Sequence, residues 1–150
     1  MAGIDVSLRL EGIEPIIRQL NLLDDRIRRK TIRKAAGKAA IILRKKAREL
    51  CPIGDHPGIK RHKGDSRLRL PGNLRKSIVL KEWKFAPGNC MVLIGPAVGK
   101  KESFDGWYGR MVEMGTKNMT ARPFMKPAFM ATKSEMEETF VRELLVGLYG

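Results

Sequence analysis

One stretch constrains the fold of this chain more than any other. From about Asp25 to Leu50 there is no proline, and Ile32, Ala35, Ala36, Ala39, Leu43, Ala47 and Leu50 recur every three or four positions. That period is a helix with one apolar stripe, and because the stripe is built from small side chains the helix can lie closely against a sheet. Asp24 and Asp25 stand where the positive end of a helix dipole favours carboxylates, and Cys51-Pro52 ends the run.

The segments on either side supply partners for that stripe. Ile4 to Leu10 alternates apolar and polar residues, as a half-buried strand does, and stops at Gly12. Glu14 to Leu23 places Ile16, Ile17, Leu20 and Leu23 at helical spacing behind Pro15. Asn73 can cap a short turn through Leu74-Arg75-Lys76, after which Ser77 to Phe85 reads as a strand. Ala86-Pro87-Gly88-Asn89 is a turn, and Cys90 to Gly95 is a continuous apolar run, so the two strands should form an antiparallel hairpin. Pro96 to Gly106 is a second loop. A C-terminal helix is expected to set Met136, Phe140, Val141, Leu144, Leu145 and Leu148 along one side, with Glu135, Glu137 and Glu138 at its exposed start, near the positive dipole end.

The expected class is therefore α+β: a small antiparallel sheet packed against a long N-terminal helix and a C-terminal helix. A chain of 150 residues is one ordinary domain, spanning 1–150 with one core, and buries about two thirds of the surface its unfolded form exposes. No internal repeat and no linker divides it. An apolar content of 43% with 31% charged residues is globular. The two cysteines, Cys51 and Cys90, are too few for a disulfide framework. No apolar run is long enough for a membrane span and no basic, then apolar, leader opens the chain. These features predict free thiols in a reducing cytoplasm and no membrane partner.

Charge is the lopsided property. Thirty Lys and Arg against sixteen Asp and Glu give a formal net charge of +14, which favours an acidic surface, nucleic acid or protein. Much of it lies on the Asp25–Leu50 helix, where two readings stand: a solvated outer face with long stems covering apolar surface, or a contact with nucleic acid or an acidic neighbouring subunit. The Gly-, Pro- and Lys/Arg-rich stretch at about 53–72 reads as a long basic arm that orders against a partner. Lys60, Arg61, Lys63, Arg67 and Arg69, with Arg75 just beyond, are its candidate partner- or DNA-facing residues.

Chemical constellations are weak. Cys51, His56, His62 and Cys90 have the right donor atoms for zinc but not the close cysteine pair of ordinary structural sites, so no metal is expected. Both histidines lie in the basic arm with no nucleophile elbow nearby. Gly95-Pro96-Ala97-Val98-Gly99-Lys100-Lys101 fails as a phosphate loop, since the glycine spacing and the following Ser or Thr are wrong. Aromatic residues are 6% of the chain and do not interleave with the basic run, so a single-strand stacking platform is poorly supported. The expectation is a protein that is not an enzyme and needs no cofactor.

The most distinctive residues lie near the end: Tyr108-Gly109-Arg110-Met111-Val112-Glu113-Met114-Gly115-Thr116, then Thr120-Ala121-Arg122-Pro123-Phe124-Met125-Lys126-Pro127-Ala128-Phe129. An apolar run, helical or extended, stops at Gly115, which can take the positive φ of a sharp exit. Pro123 suits the first helical position and Pro127 fits only within the opening turn, so the two make a stiff entry to the last helix.

This segment resembles the signature of the tailed-phage head–tail joining (neck) and tail-completion protein family, most specifically in Glu113-x-Gly115-Thr116 and Arg122-Pro123-Phe124-x-x-Pro127-Ala128. The helix exit at Ala47-Arg48 and Cys51-Pro52, the Gly72-Asn73-Leu74-Arg75-Lys76-Ser77-Ile78 element and the Val92-Leu93-Ile94-Gly95 strand match the family in the same order, and only the 53–72 stretch is longer than usual. The resemblance implies a non-enzymatic virion protein, assembled in the bacterial host cytoplasm, that forms a ring of six or twelve identical subunits at the head–tail junction or completes the tail. It implies contacts with connector or head-closure proteins and with tail-tube or tail-terminator proteins, and with genomic DNA in the channel. Tyr108, Glu113, Gly115, Thr116, Arg122, Pro123, Phe124 and Pro127 are the assembly residues it points to. The alternative is a small basic nucleic-acid-binding protein, and a metal-dependent nuclease is a more distant third.

Overall fold

A computed structural model describes residues 10–54, 71–84, 90–99, 104 and 106–149. Its elements are α1 (Glu14–Leu22), α2 (Asp25–Leu50), α3 (Asn73–Ser77), β1 (Ile78–Lys84), β2 (Cys90–Pro96), α4 (Gly109–Met114) and α5 (Met125–Tyr149). The class is α+β as expected: two long helices and a two-stranded antiparallel sheet in which Ile78 pairs with Pro96 and Lys84 with Cys90. The expected Ile4–Leu10 strand, apart from Leu10, the Ala86–Asn89 turn and the arm carrying His56, Lys60, Arg61, His62, Lys63, Arg67 and Arg69 lie outside the described residues.

The small-residue stripe of α2 is buried at Thr31, Ala35, Ala39, Ala40, Leu43 and Ala47. Its main partner is α5, with the sheet second, so the close approach is first between two helices. Gly147 shows how close. A Cβ there would collide with the Thr31 side chain. Leu50, expected on the stripe, is 41% exposed because the helix ends there and the chain turns away at Cys51.

Two clusters fill the interior. Ala39, Leu43, Ala47, Leu74, Ile78 and Phe124 belong to the larger, where α2, α3, the sheet and the start of α5 converge. Leu20, Ala35 and Leu144 form the smaller, closing α1 over the far end of the helix pair, and Phe140 packs against both. Arg48 ties α2 to the hairpin: its Nε and Nη2 donate to the Ile78 carbonyl at 3.1 and 2.8 Å.

Local readings are corrected in four places. Gly72, at φ +80°, holds the cap position of α3, and Asn73 is the first helical residue. Ser77 closes that helix instead of opening β1, its hydroxyl donating to the Leu74 carbonyl at 2.7 Å. α5 begins at Met125, so Glu135, Glu137 and Glu138 lie in its interior and dipole complementarity does not explain them; Glu137 faces Lys133 one turn earlier. Leu145 is 37% exposed, since the buried side of α5 repeats as Met136, Phe140, Leu144 and Leu148 and leaves its neighbour outside.

Candidate functional site

The motif region is one corner made from α4, a tight turn and the start of α5. Tyr108 precedes α4, half-buried against the larger core, with its ring edge-on to Trp107 at 5.9 Å between centroids. α4 is a helix, which resolves the choice between helical and extended, and it brings Glu113 inward to 8% exposure.

A glycine is required at 115. Its φ is +75°, its N–H donates to the Met111 carbonyl at 2.8 Å, and a Cβ would stand 2.8 Å from the Ala121 nitrogen and 2.9 Å from the Met119 oxygen. After it, Thr116 and Met119 exchange backbone hydrogen bonds, the Thr116 hydroxyl accepts from Asn118 N–H, and the Arg122 N–H returns to the Val112 carbonyl at 2.8 Å. The chain thereby doubles back beside α4.

The Glu113 carboxylate then holds the start of α5. Its Oε2 accepts from the N–H groups of Phe124 at 2.7 Å and Met125 at 2.9 Å, and its Oε1 from Lys126 at 3.0 Å. A helix leaves its first four N–H groups without intrahelical partners. Here three are taken by one side chain and the fourth position is Pro127, which has no N–H. The next donor, Ala128 N–H, makes the first intrahelical bond to the Phe124 carbonyl. No donor is left over, and a carboxylate sits at the positive end of the helix dipole.

This geometry sorts the eight motif residues. Glu113, Gly115 and the fully buried Phe124 build the corner from inside, and Tyr108 packs beside them. Thr116, Arg122, Pro123 and Pro127 are exposed on its outer surface, next to Met114 and Met119. Pro123, expected as the first helical residue, lies before the helix because Phe124 takes the cap position. Pro127 does fall within the opening turn.

Arg75, assigned to the basic arm, is half-buried on α3 and belongs to this region. Burial pushes the Cys51 thiol up to about 11, with Arg75 pulling it down and Glu113 raising it. The thiol therefore stays protonated at neutral pH and serves as a small core residue. Among the described residues no group of His, Cys, Asp and Glu is arranged to hold a metal ion, and no described helix is long and apolar enough to cross a membrane.

The capping role of Glu113 escaped sequence reasoning because helix caps are sought within a few residues of the helix start, and Glu113 is eleven residues before Phe124. One signal was present: Arg122-Pro123-Phe124 offers no Ser, Thr, Asp or Asn to cap α5, so the acceptor had to come from elsewhere.

No protein-family model, curated protein or solved structure matches this chain.

Proposed function

We propose that this protein is a structural component of a tailed-bacteriophage virion, without enzymatic activity, that forms a ring at the head–tail junction or completes the tail so that DNA passes from head to tail. The supporting observation is the α4–α5 corner. The residues that carry the resemblance converge on one rigid unit in which Glu113 ties three backbone donors of α5 and Gly115 admits no Cβ. A corner fixed from within can present Thr116, Arg122, Pro123 and Pro127 in one orientation, which a repeated head-to-tail contact between identical subunits requires. Connector and head-closure proteins on one side, and tail-tube or tail-terminator proteins on the other, would meet such a ring, assembled in the host cytoplasm and retained in the virion.

The decisive experiment is genetic and visual. Deleting the gene from the phage or prophage that carries it should leave filled heads and separate tails in electron micrographs, and supplying the protein in trans should restore joined particles. Joined, infectious particles in its absence would overturn the reading. Arg122→Glu should lower joining while leaving the melting temperature of the free subunit unchanged, since the side chain is exposed and, among the described residues, only its backbone N–H is used internally.

A further inference from the structure

The solvent side of α2 carries more positive charge than the described acids pair with. This helix has eleven Lys and Arg residues against Asp25 and Glu49, so it alone holds nine of the fourteen surplus positive charges. Some are engaged: Arg28 and Arg29 with Asp25, Lys38 with Glu143, Lys46 with Glu49, and Arg48 with the Ile78 carbonyl. Arg26, Lys30, Arg44 and Lys45 make no side-chain hydrogen bond or ion pair with any described residue.

Their placement is regular. Arg26, Lys30, Lys34 and Lys38 succeed one another every fourth residue, and Arg29 and Arg33 run alongside. Like charges at that spacing repel and weaken a helix. Within α2 no acid is interposed on the row, although acids hold the helix at both ends and Glu143 of α5 reaches Lys38. From Arg26 to Lys45 the row is about 28 Å long at the α-helical rise.

We propose that the outward face of α2 binds the sugar–phosphate backbone of double-stranded DNA. The length and spacing suit a continuous polyanion. A second copy of this chain is disfavoured as the source of the countercharge, because it brings the same surplus of +14. Single-stranded nucleic acid is disfavoured because α2 contains no aromatic residue on which bases would stack. An acidic protein is disfavoured because the face offers only Ile27 and Ile41 as exposed large apolar anchors, and protein interfaces draw their energy from buried aromatic and apolar groups. The contact is assigned to phosphates, which a row of Lys and Arg can follow whatever the base sequence. The inference stands apart from the phage reading and holds for any basic DNA-associated role.

The test uses the full chain and a mixed-sequence duplex of about 20 base pairs, longer than the row, with affinity measured across a salt series. The variant Arg26→Gln/Lys30→Gln/Lys45→Gln should lose roughly tenfold or more in affinity at low salt and flatten the log affinity versus log salt slope by about three. Lys60→Gln/Arg61→Gln/Lys63→Gln should change both less. A triple variant that binds with the native affinity and slope would overturn the assignment. So would a native protein that ignores duplex but binds polyglutamate, which would mark an acidic protein as the partner. Relief of like-charge repulsion should leave the triple variant melting at or above the native temperature. If it fails to fold, Lys30→Gln and Lys45→Gln taken singly should each flatten the slope by about one, and unchanged slopes in both would refute the proposal.

Discussion

The two long helices have nearly the same length, 26 residues in α2 and 25 in α5, and their beginnings are built in opposite ways. α2 is capped by its own neighbour: the Asp24 side chain accepts from Arg26 N–H at 2.8 Å. α5 is capped from across the fold by Glu113, with three N–H groups on one carboxylate. A local cap satisfies one donor and stabilises only the turn it begins. A remote cap makes the start of α5 depend on α4 and on the turn between them, so the three form or are lost together. The exposed residues of the corner thereby inherit a fixed position, whereas the Asp24 side chain holds only the turn next to it.

The largest expected effect tests that asymmetry. Glu113→Ala removes three charge-assisted hydrogen bonds at a shielded site and should cost about 3 kcal/mol or more in urea denaturation. A loss no greater than that of Asp24→Ala would show the remote cap to be no stronger than the local one. Gly115→Ala attacks the same unit through the backbone: a side chain at φ +75°, meeting Ala121 and Met119 at under 3 Å, should cost about 2 kcal/mol. If the variant melts with the native protein, the turn is not held as described. Asp24→Ala should cost about 1 kcal/mol, within the ordinary range for a helix cap, and should leave hydrogen exchange in α5 unaltered.

The smallest effect is a pH dependence on the seam between the helices. Glu143 has its carboxyl held below the ordinary value of 4.5, chiefly by the hydrogen bond from Lys38 at 2.6 Å, while its other oxygen is buried with no hydrogen-bond partner among the described residues. A lowered folded-state value means that this stabilisation is present above the ordinary carboxyl range and fades as pH falls through the lowered one. Lys38→Met should therefore reduce the melting temperature near neutrality and make its decline on acidification shallower, read from melting curves at a series of pH values. Parallel curves for the two proteins would remove the pair from the account.

What the sequence disclosed follows from the range of the interactions concerned. The α2 stripe, the hairpin and the stop at Gly115 were legible because each depends on residues a few positions apart: periodic alanines, two apolar runs around a turn, and a glycine closing a short helix. The stripe did not say whether a helix or a sheet would cover it, since Ala35 and Ala39 permit close approach by either. The entry to α5 was read at Pro123, and its apolar side only from Met136 onward, where the period is regular. Its first turns, from Met125, are stabilised by Phe124 in the core and by Glu113, both outside that period. The motif residues meet at one corner, but which of them face inward was hidden, because Glu113 and Arg122 are equally polar on paper and only the fold buries one of them.

The contact between Gly147 and Thr31 fixes one more property of the helix pair. Sliding α5 along α2 by one turn toward its C-terminus would bring Glu143, four residues back on the same side, opposite Thr31, and its bulk could not enter a gap too small for a methyl group. In that direction α5 can travel no further, stopped as by a shoulder on a shaft.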